Sequence, residues 1–552
     1  MAATNSTIPL VNYPYGQDLD TFRRIDATIR TNLAAFRKPG VISVRPGYKS
    51  VGGYLTRKPA IVVTVANKQD VAPQDALPAK VGDVAVDVRQ ATPLEKLRAQ
   101  NPQMYARVVA GGRGEFVLPD PTFERDPKTG EPLAAVLAAD ALAGPPKKKI
   151  DYTPAAGVTL DLVEGPMAIT CHASPDAGWP QLKKFFQGIE SSLTVGLYDF
   201  TSQHVLDGLT NALGNGDREL TLTLDHPPKN PTADQTDEQT VQDLEGALDQ
   251  RLTFAWALDR SDPKVNTWIF PTAYHIKVAV RDHNAMWLSS GNWNNSNQPD
   301  IDPLTDPASS ATIARNSDRD WHIIVEHIGV SNVYEAFLQH DNDVARNPGP
   351  AGPQALPAAG VVAPDPDLTE LNALLMAGGV TPKHYFAPQR IPDQGTRNIK
   401  IQPILTPDNY RAEVLKLIES AETSFYMQTQ YIHPSDKAED QDFADLIRAI
   451  VDLQRAGKDV RIILSQFEKE GNWLDLLQAT RIDLASVRIQ TGVHNKGIVV
   501  DSKVVMLGSQ NWSGDGVLRN RDASLIVFDE DAARYYEQIF LHDWTNMSIP
   551  SQ

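Results

Sequence analysis

The amino-acid sequence predicts an α/β protein, with two tandem α/β sandwich domains related by pseudo-twofold symmetry and a small α+β module at the N-terminus. Three observations predict this fold class. The chain has 552 residues, which is more than one ordinary hydrophobic core accommodates. Four segments recur in the same order in its two halves, and Pro-rich stretches separate the repeats from each other and from the N-terminal residues. A duplicated domain with an accessory module is the simplest interpretation.

The recurring segments predict the order of elements in each repeat. Each repeat reads as a helix, a strand, a helix, a strand, a strand that carries His-x-Lys, and a last strand that begins with Arg-Asp. The paired segments are 185–200 with 414–429, 218–225 with 458–465, 275–294 with 494–513, and 319–326 with 521–528.

Composition predicts the domain boundaries. Stretches dense in Pro and Gly are typical of extended linkers, and they occur at 111–158 and 347–398. The predicted domains are therefore an N-terminal module at 1–110, a first repeat domain at 159–346 and a second repeat domain at 399–552.

The N-terminal module shows one helical stretch followed by three strand-like stretches. This pattern is similar to modules found ahead of trypsin-like protease domains in bacterial proteins. The sequence lacks the Gly-x-Ser-x-Gly nucleophile turn. We therefore expect an accessory role. The predicted elements are a helix at 18–36 and strands at 40–46, 59–67 and 83–90.

Charge and cysteine content exclude some classes of protein. A net charge of −17 argues against non-specific coating of nucleic acid or anionic membranes, although it allows a small basic pocket for one phosphate. Cys171 is the only cysteine, so neither an intramolecular disulfide nor a thiolate metal cluster is expected. The N-terminus lacks the pattern of a secretory leader, and no run of about 18 apolar residues occurs, so we expect a cytoplasmic protein.

The two His-x-Lys strands carry the chemistry. Residues two apart on a strand point the same way, so His275 and Lys277 share one face, as do His494 and Lys496. An imidazole acts as a nucleophile or as an acid and base near neutral pH, and an ammonium group beside it favours bound anions. If the repeats pack about a pseudo-twofold axis, both pairs converge on one cleft that fits a phosphate.

This pattern resembles the phospholipase D superfamily, whose signature is His-x-Lys-x4-Asp-x6-Gly-Ser-x-Asn. The resemblance covers about residues 155 to 550. In the first copy, Ser289 stands where the family has glycine. The second copy fits throughout, with His494, Lys496, Asp501, Gly508, Ser509 and Asn511. The first copy has His275, Lys277, Asp282, Ser290 and Asn292.

The resemblance implies a mechanism that needs no metal or other cofactor. One histidine attacks phosphorus, the other protonates the leaving oxygen, and water or another alcohol then resolves the phosphohistidine. The lysines, with Asn292 and Asn511, supply the charge stabilisation that a metal would otherwise give. Family habit favours His275 as the nucleophile and His494 as the acid and base.

Six further residues receive supporting roles. The family carries a downstream acidic residue that accepts the other ring N–H of the histidine. Here Asp522 follows His494, and the internal alignment selects Asp320 as its counterpart. Asp282 and Asp501 are predicted to support the turns, and Ser290 and Ser509 complete the set. The inserted loop at 294–318 is either a surface excursion or a substrate gate, while Trp293 and Trp512 are expected in the core.

Three functions fit the sequence. The first is a phospholipase D that hydrolyses glycerophospholipids or transfers their phosphatidyl group. The alternative is a nuclease that cuts DNA or RNA, and the third is a non-catalytic binding scaffold. Net acidity favours a phospholipid partner over nucleic acid, and retention of both His-Lys pairs disfavours the scaffold. Transient contact with a membrane surface is compatible with the sequence, and a monomer would suffice because both motifs lie in one chain.

Overall fold

Strands and helices alternate along both halves of the chain, and this confirms the predicted α/β class. The computed structural model describes residues 19–51, 54–66, 76–91, 124–131, 153–214, 216–225, 233–257, 273–347, 384–435, 440–465 and 473–551, with isolated positions 95, 99, 270 and 382. Most of both predicted linkers lies outside the described residues.

The N-terminal residues form a four-stranded sheet in the order β1-β2-β4-β3, with one helix packed on it. Ile25 and Ile29 of the helix join Val44 and Ile61 of the sheet in a separate hydrophobic cluster. The elements are α1 (Leu19–Thr31), β1 (Val41–Val51), β2 (Tyr54–Val65), β3 (Lys80–Val81) and β4 (Val84–Gln90).

Part of the first predicted linker packs against this sheet. Arg125 forms a β-bridge with Val44, and its guanidinium donates to both carboxylate oxygens of Asp26 at 2.7 and 2.9 Å. Glu124 is buried and accepts a hydrogen bond from Ser43 at 2.6 Å. The described segment 124–131 therefore packs with the N-terminal sheet.

The first half of the chain contributes seven strands and five helices to the described structure. They are β5 (Val163–Ser174), α2 (Gly178–Gln187), β6 (Ser192–Leu197), α3 (Gln203–Leu213), β7 (Glu219–Leu224), α4 (Asp237–Leu248), β8 (Leu252–Trp256), β9 (Lys277–Arg281), β10 (Ala285–Ser289), α5 (Pro307–Arg315), β11 (Asp320–Glu326) and α6 (Ile328–Arg346).

The second half repeats this order after a short strand, β12 (Gln389–Ile391), which lies inside the second predicted linker. Its elements are β13 (Arg397–Thr406), α7 (Tyr410–Glu419), β14 (Ser424–Thr429), α8 (Gln441–Arg455), β15 (Asp459–Ser465), α9 (Trp473–Ala479), β16 (Val487–Gln490), β17 (Lys496–Val500), β18 (Val504–Gly508), α10 (Gly514–Leu518), β19 (Asp522–Phe528), α11 (Glu530–His542) and β20 (Ser548–Pro550).

One sheet runs through both halves. Its strand order is β20-β16-β15-β14-β17-β18-β19-β13-β5-β11-β10-β9-β6-β7-β8, and β12 pairs with β5. Strands β13 and β5 are antiparallel neighbours and form the seam between the halves, with Ile401 beside Val163. Outward from this seam, corresponding strands follow in the same order on both sides, so the His-x-Lys strands β9 and β17 occupy equivalent places.

The register of the first segment pair differs from the prediction. Leu197 pairs with Lys277 and Thr429 pairs with Lys496, so Leu197 corresponds to Thr429. The predicted pairing of 185–200 with 414–429, which aligns Ile-Glu-Ser at 189–191 with Ile-Glu-Ser at 418–420, instead places Leu197 opposite Tyr426 and is wrong. The reason is that Ile-Glu-Ser follows the end of α2 in the first half, whereas in the second half it occupies the last turn of α7.

Buried apolar side chains explain why the helices lie where they do. In α8, the residues Phe443, Ile447, Ile450 and Val451 recur at helical spacing and are at most 3% exposed, so one face packs on the sheet. A further cluster spans the seam and draws residues from both halves. Among the described residues, no helix is both long and apolar enough to cross a membrane.

Candidate active site

Each motif lies on a β-hairpin whose turn is fixed by its aspartate. Asp282 and Asp501 have positive φ angles of 50° and 53°, in the left-handed region that aspartate tolerates better than most residues. The Asp501 carboxylate accepts three backbone N–H groups, from residues 422 to 424, at 2.8 Å each. Asp282 accepts the N–H groups of residues 190 to 192 in the same way. Both aspartates tie the hairpin to the strand beside it.

The two motif histidines form hydrogen bonds across the seam. The expectation that the downstream aspartate accepts from the histidine of its own half, as for Asp522 with His494, is therefore wrong, because the packing of the halves places each aspartate beside the other histidine. His275 Nδ1 lies 2.8 Å from Asp522 Oδ1, although Asp522 belongs to the second half. His494 Nδ1 lies 3.0 Å from Asp320 Oδ1, which belongs to the first half. A carboxylate only accepts hydrogen bonds, so Nδ1 of each ring carries a proton, and Nε2 is the basic atom whenever the ring is neutral.

The motif serines and one further asparagine hold these carboxylates. Ser290 Oγ donates to Asp320 at 2.7 Å, and Ser509 Oγ donates to Asp522 at 2.6 Å. Asn297 Nδ2 donates to the second oxygen of Asp320 at 3.0 Å. Asn297 comes from the inserted loop, so this loop contributes to the site and is more than a surface excursion.

Both lysines are buried and lie beside their own histidines. Lys277 Nζ donates to the His275 carbonyl at 2.8 Å and lies 5.1 Å from the ring centre of Tyr198. Lys496 Nζ donates to the His494 carbonyl and lies 3.1 Å from His494 Nε2. The two motifs therefore differ, since Lys496 engages the basic nitrogen of its histidine.

The charges of the two motifs affect one another. Burial is the largest cause that lowers the pKa of His275 to about 4, and the ammonium groups of Lys277 and Lys496 lower it as well, while Asp522 opposes them. Lys496 belongs to the other motif, so the two motifs lie close enough to interact. Burial raises the pKa of Asp320, but His494 and Lys496 outweigh it and bring it to about 2. At neutral pH, His275 is thus neutral and Asp320 is ionised.

The motif asparagines complete the buried group. Asn292 and Asn511 are 4% and 3% exposed. Asn292 Oδ1, Asn511 Oδ1 and His275 Nε2 are buried without a hydrogen-bond partner among the described residues. Buried polar atoms are normally paired, so three such atoms on motif residues indicate a place that a ligand can fill. The structure thus brings His275 and Lys277 close to Lys496 of the other motif, while the convergence of both asparagines on this place stays a prediction.

Ser289, which replaces the family glycine, is matched by a change on the neighbouring strand. Ser289 Oγ lies 2.6 Å from His322 Nδ1, and His322 pairs with Ser289 across β10 and β11. In the second half the same positions hold Gly508 and Ser524. A Cβ at Gly508 would lie 1.8 Å from Ser524 Oγ and 2.4 Å from the Ala523 carbonyl oxygen. At this position the first half thus packs a serine against a histidine, whereas the second half packs a glycine against a serine.

We expect Gly508→Ser to destabilise the protein by about 1–3 kcal/mol, because the added atoms overlap backbone as well as side-chain atoms. Chemical denaturation of the variant measures this loss. Gly246→Ser is the matched control, since a Cβ at Gly246 meets nothing within 4 Å. Equal stability of the two variants would contradict the close packing described for Gly508.

Sequence reasoning missed two buried arginines, Arg319 and Arg521, each of which precedes a site aspartate. Their carboxylate partners lie in two further repeated sequences. A comparison of these repeated sequences could have identified the two arginines and their partners. One is Ser-Pro-Asp at 174–176, which corresponds to Thr-Pro-Asp at 406–408; the other is Tyr-Glu-x4-His-Asp, at 334–341 and 536–543.

Trp293 and Trp512 lie in the core, as expected. They are 0% and 1% exposed, and Trp512 Nε1 donates to the Tyr410 hydroxyl at 3.1 Å. Within the described part of the chain, no group of three or more His, Cys, Asp or Glu side chains is placed to hold a metal ion.

Comparison with known proteins supports the family resemblance. The family described as "Cardiolipin synthase, PLD-like domain" matches residues 414–544. A phospholipase D of Rickettsia conorii is 32% identical over 131 residues, which are 23% of this chain and 59% of that protein. Cardiolipin synthase 2 of Staphylococcus epidermidis is 29% identical over 135 residues, covering 23% of this chain and 26% of that protein.

A solved structure covers more of the chain. The phosphatidylserine synthase of Haemophilus influenzae aligns with 69% of this chain and 87% of its own, at 13% identity and a TM-score of 0.44. The chain spans about three fifths of the length of the first curated relatives. The family profile, which covers residues 414–544, and the curated relatives agree that this chain is similar to proteins of the phospholipase D superfamily.

Proposed function

We propose that this protein is a metal-independent phosphodiesterase that hydrolyses glycerophospholipids, or transfers their phosphatidyl group, through a phosphohistidine. The observation that carries the proposal is the crossed arrangement of two buried histidines. Each ring donates Nδ1–H to an aspartate of the other half, and two lysines lie beside them. This combination of a neutral nucleophile, a second acid and base, and fixed positive charge suits displacement at phosphorus.

In the proposed first step, His275 is the nucleophile. Its Nε2 is unprotonated and has no hydrogen-bond partner among the described residues, so the lone pair is available. His494 enters this step as an imidazolium, with one proton on Nδ1 facing Asp320 and a second, taken up from solvent, on Nε2. Nε2 of His275 attacks phosphorus, the bond to the leaving oxygen breaks, and His494 gives its Nε2 proton to that oxygen. For this, Lys496 leaves His494 Nε2 and binds a phosphoryl oxygen instead.

In the second step, His494 takes a proton from water or another alcohol, whose oxygen attacks phosphorus and breaks the bond to His275. Water yields phosphatidic acid, and an added alcohol yields a new phosphatidyl ester. Lys277, Lys496, Asn292 and Asn511 stabilise the charge on the phosphoryl oxygens. These roles require the two motifs to face one another, and the hydrogen bond of each histidine to an aspartate of the other half supports this arrangement.

The domain organisation belongs to this proposal. We assign residues 159–346 and 399–552 to two tandem domains related by a pseudo-twofold axis, with the N-terminal module as an accessory. Support comes from the common order of strands outward from the seam. Because both motifs lie in one chain, a monomer holds the complete site.

The preference for phospholipid over nucleic acid rests on charge and on the relatives. A net charge of −17 disfavours a long polyanionic substrate, whereas a single phosphodiester needs only the two lysines. The curated relatives described above are named phospholipase D and cardiolipin synthase. A substrate at a lipid surface would bring the enzyme into transient contact with a membrane.

The proposal is tested with excess EDTA present throughout. Purified protein is given phosphatidylcholine vesicles in one reaction, and single- and double-stranded DNA in another. We expect choline release from the vesicles, and phosphatidylbutanol when 1-butanol is added. His494→Ala should lose this activity, whereas His384→Ala should keep it because His384 is an exposed residue outside the site.

Other outcomes would change the assignment. DNA cleavage that is lost in His494→Ala, without choline release, would make the protein a nuclease. Activity that appears only when EDTA is replaced by a divalent cation would overturn the metal-independent mechanism. No activity in any reaction would favour another phosphodiester substrate or the binding scaffold.

A further inference from the structure

We infer that Arg319 and Arg521 are positioning residues, and that each one holds the motif histidine of the opposite half in its working orientation. The inference rests on the proposed function only in treating these histidines as catalytic. It concerns two buried ion-pair clusters behind the site, which we call the arginine clamps: Arg319 with Asp176 and Asp543, and Arg521 with Asp341 and Asp408.

The Arg521 clamp joins the two halves. The guanidinium is 0% exposed, and its Nε and Nη2 donate to the two carboxylate oxygens of Asp341 at 2.9 and 3.0 Å. Its Nη1 donates to Asp408 at 2.9 Å and to the Thr406 carbonyl at 3.2 Å. Asp341 lies on α6 of the first half, whereas Asp408 follows β13 of the second half.

The Arg319 clamp has the same construction with the halves exchanged. Nε and Nη2 donate to the carboxylate of Asp543, just after α11 of the second half, at 2.9 and 3.3 Å. Nη1 donates to Asp176, which follows β5 of the first half, and to the Ser174 carbonyl at 2.8 Å. Each arginine therefore has one carboxylate partner from its own half and one from the other.

Backbone hydrogen bonds connect each clamp to a histidine. The His275 N–H donates to the Arg521 carbonyl at 2.7 Å, and the Arg521 N–H donates to the Ala273 carbonyl at 2.9 Å. In the other motif, the His494 N–H donates to the Arg319 carbonyl at 3.2 Å, and the Arg319 N–H donates to the Gly492 carbonyl at 2.6 Å. The carbonyl that supports each histidine thus belongs to a clamped arginine.

The residue after each arginine completes the support. Asp522 follows Arg521 and accepts from His275 Nδ1, while Asp320 follows Arg319 and accepts from His494 Nδ1. Two consecutive residues of one half therefore hold the backbone and the ring of the histidine in the other half. A shift of the clamp would move both contacts together, and a displacement of about 1 Å at a reacting group costs up to 10²-fold in rate.

Lysine cannot reproduce either clamp. Arginine presents several N–H donors in a planar fork and binds two carboxylates and a carbonyl at once, whereas an ammonium group is a single point of charge. Arg521→Lys and Arg319→Lys thus keep the positive charge and lose the geometry. A purely structural clamp would lower stability and leave the histidine rings unchanged, so the rings must be observed directly.

The test uses full-length protein labelled with ¹⁵N-histidine, and follows the Nδ1–H resonances of His275 and His494. These resonances are assigned from the His275→Ala and His494→Ala spectra. In Arg521→Lys we expect the His275 resonance to shift or to exchange away while that of His494 stays in place, and in Arg319→Lys we expect the reverse. On phosphatidylcholine, kcat should fall by about 10- to 100-fold with KM nearly unchanged.

Arg519→Lys is the matched control. Arg519 is also largely buried, and its ion pairs are with Asp440 and Asp515 of its own half. We expect it to lower the melting temperature and to leave both histidine resonances and kcat in place. Asp408→Asn is a milder second variant, since it weakens the Arg521 clamp and retains the bond to Asp341. It should shift the His275 resonance in the same direction by less.

Wild-type histidine resonances and kcat in folded Arg521→Lys or Arg319→Lys would overturn the inference. If Arg521→Lys does not fold, an unshifted His275 resonance in Asp408→Asn would overturn it in the same way. The expected shifts in a protein without phosphodiesterase activity would support the clamps and refute the proposed function, so the two failures are distinguishable.

Discussion

His275→Ala should abolish both turnover and the covalent intermediate, whereas His494→Ala should abolish turnover of phospholipids and still allow the intermediate to form. We expect kcat/KM on phosphatidylcholine to fall by about 10⁴-fold or more in each variant, as when one member of a catalytic unit is removed. The two variants differ because only His275 bonds to phosphorus, while His494 transfers protons.

A substrate whose leaving group needs no proton separates the two roles. With a p-nitrophenyl phosphodiester, His494→Ala should release p-nitrophenol in a single burst and accumulate phosphohistidine, seen as a mass increase of the intact protein. His275→Ala should show neither. A burst from His275→Ala alone would reverse the assignment of nucleophile, and substantial turnover by either variant would contradict a shared site.

Asp522→Asn should disable His275, although the two residues belong to different halves. The asparagine amide would donate to His275 Nδ1 and move the ring proton to Nε2, which removes the lone pair that attacks phosphorus. We expect kcat to fall by about 10²- to 10⁴-fold, the scale of the corresponding change in a serine-protease triad. The measurement is kcat on phosphatidylcholine, together with the burst on the p-nitrophenyl substrate.

Asp320→Asn provides the decisive comparison. Asp320 bonds to His494, so this variant should lose phospholipid turnover and keep the burst. Asp459→Asn, at an ion pair with Arg461 near the surface, controls for the loss of one carboxylate. If Asp320→Asn loses the burst and Asp522→Asn keeps it, while His275→Ala shows no burst, the crossed pairing does not operate during the reaction.

The sequence indicates the candidate site residues because the signature is local. From His494 to Asn511, every motif position lies on one hairpin, so the alternation of the strands and the turn at Asp501 determine the arrangement. The motif residues of the first half follow the same logic. Their catalytic roles stay predictions until the variants are measured.

The partners of these side chains could not be predicted in the same way. Asp522 bonds to His275 across 247 residues of sequence, and Arg319 reaches Asp543 across 224. Such contacts depend on how the halves pack, which no local pattern records. Asn297 was missed because an inserted loop has no counterpart to compare. The three-letter match Ile-Glu-Ser misled the alignment because a short identity carries less information than strand pairing.

The crossed hydrogen bonds also affect how the gene can change. Neither half contains a histidine together with the carboxylate that orients it, so the working unit is distributed over both. A mutation beside either motif therefore alters the histidine of the other half, so sequence changes in the two halves are coupled.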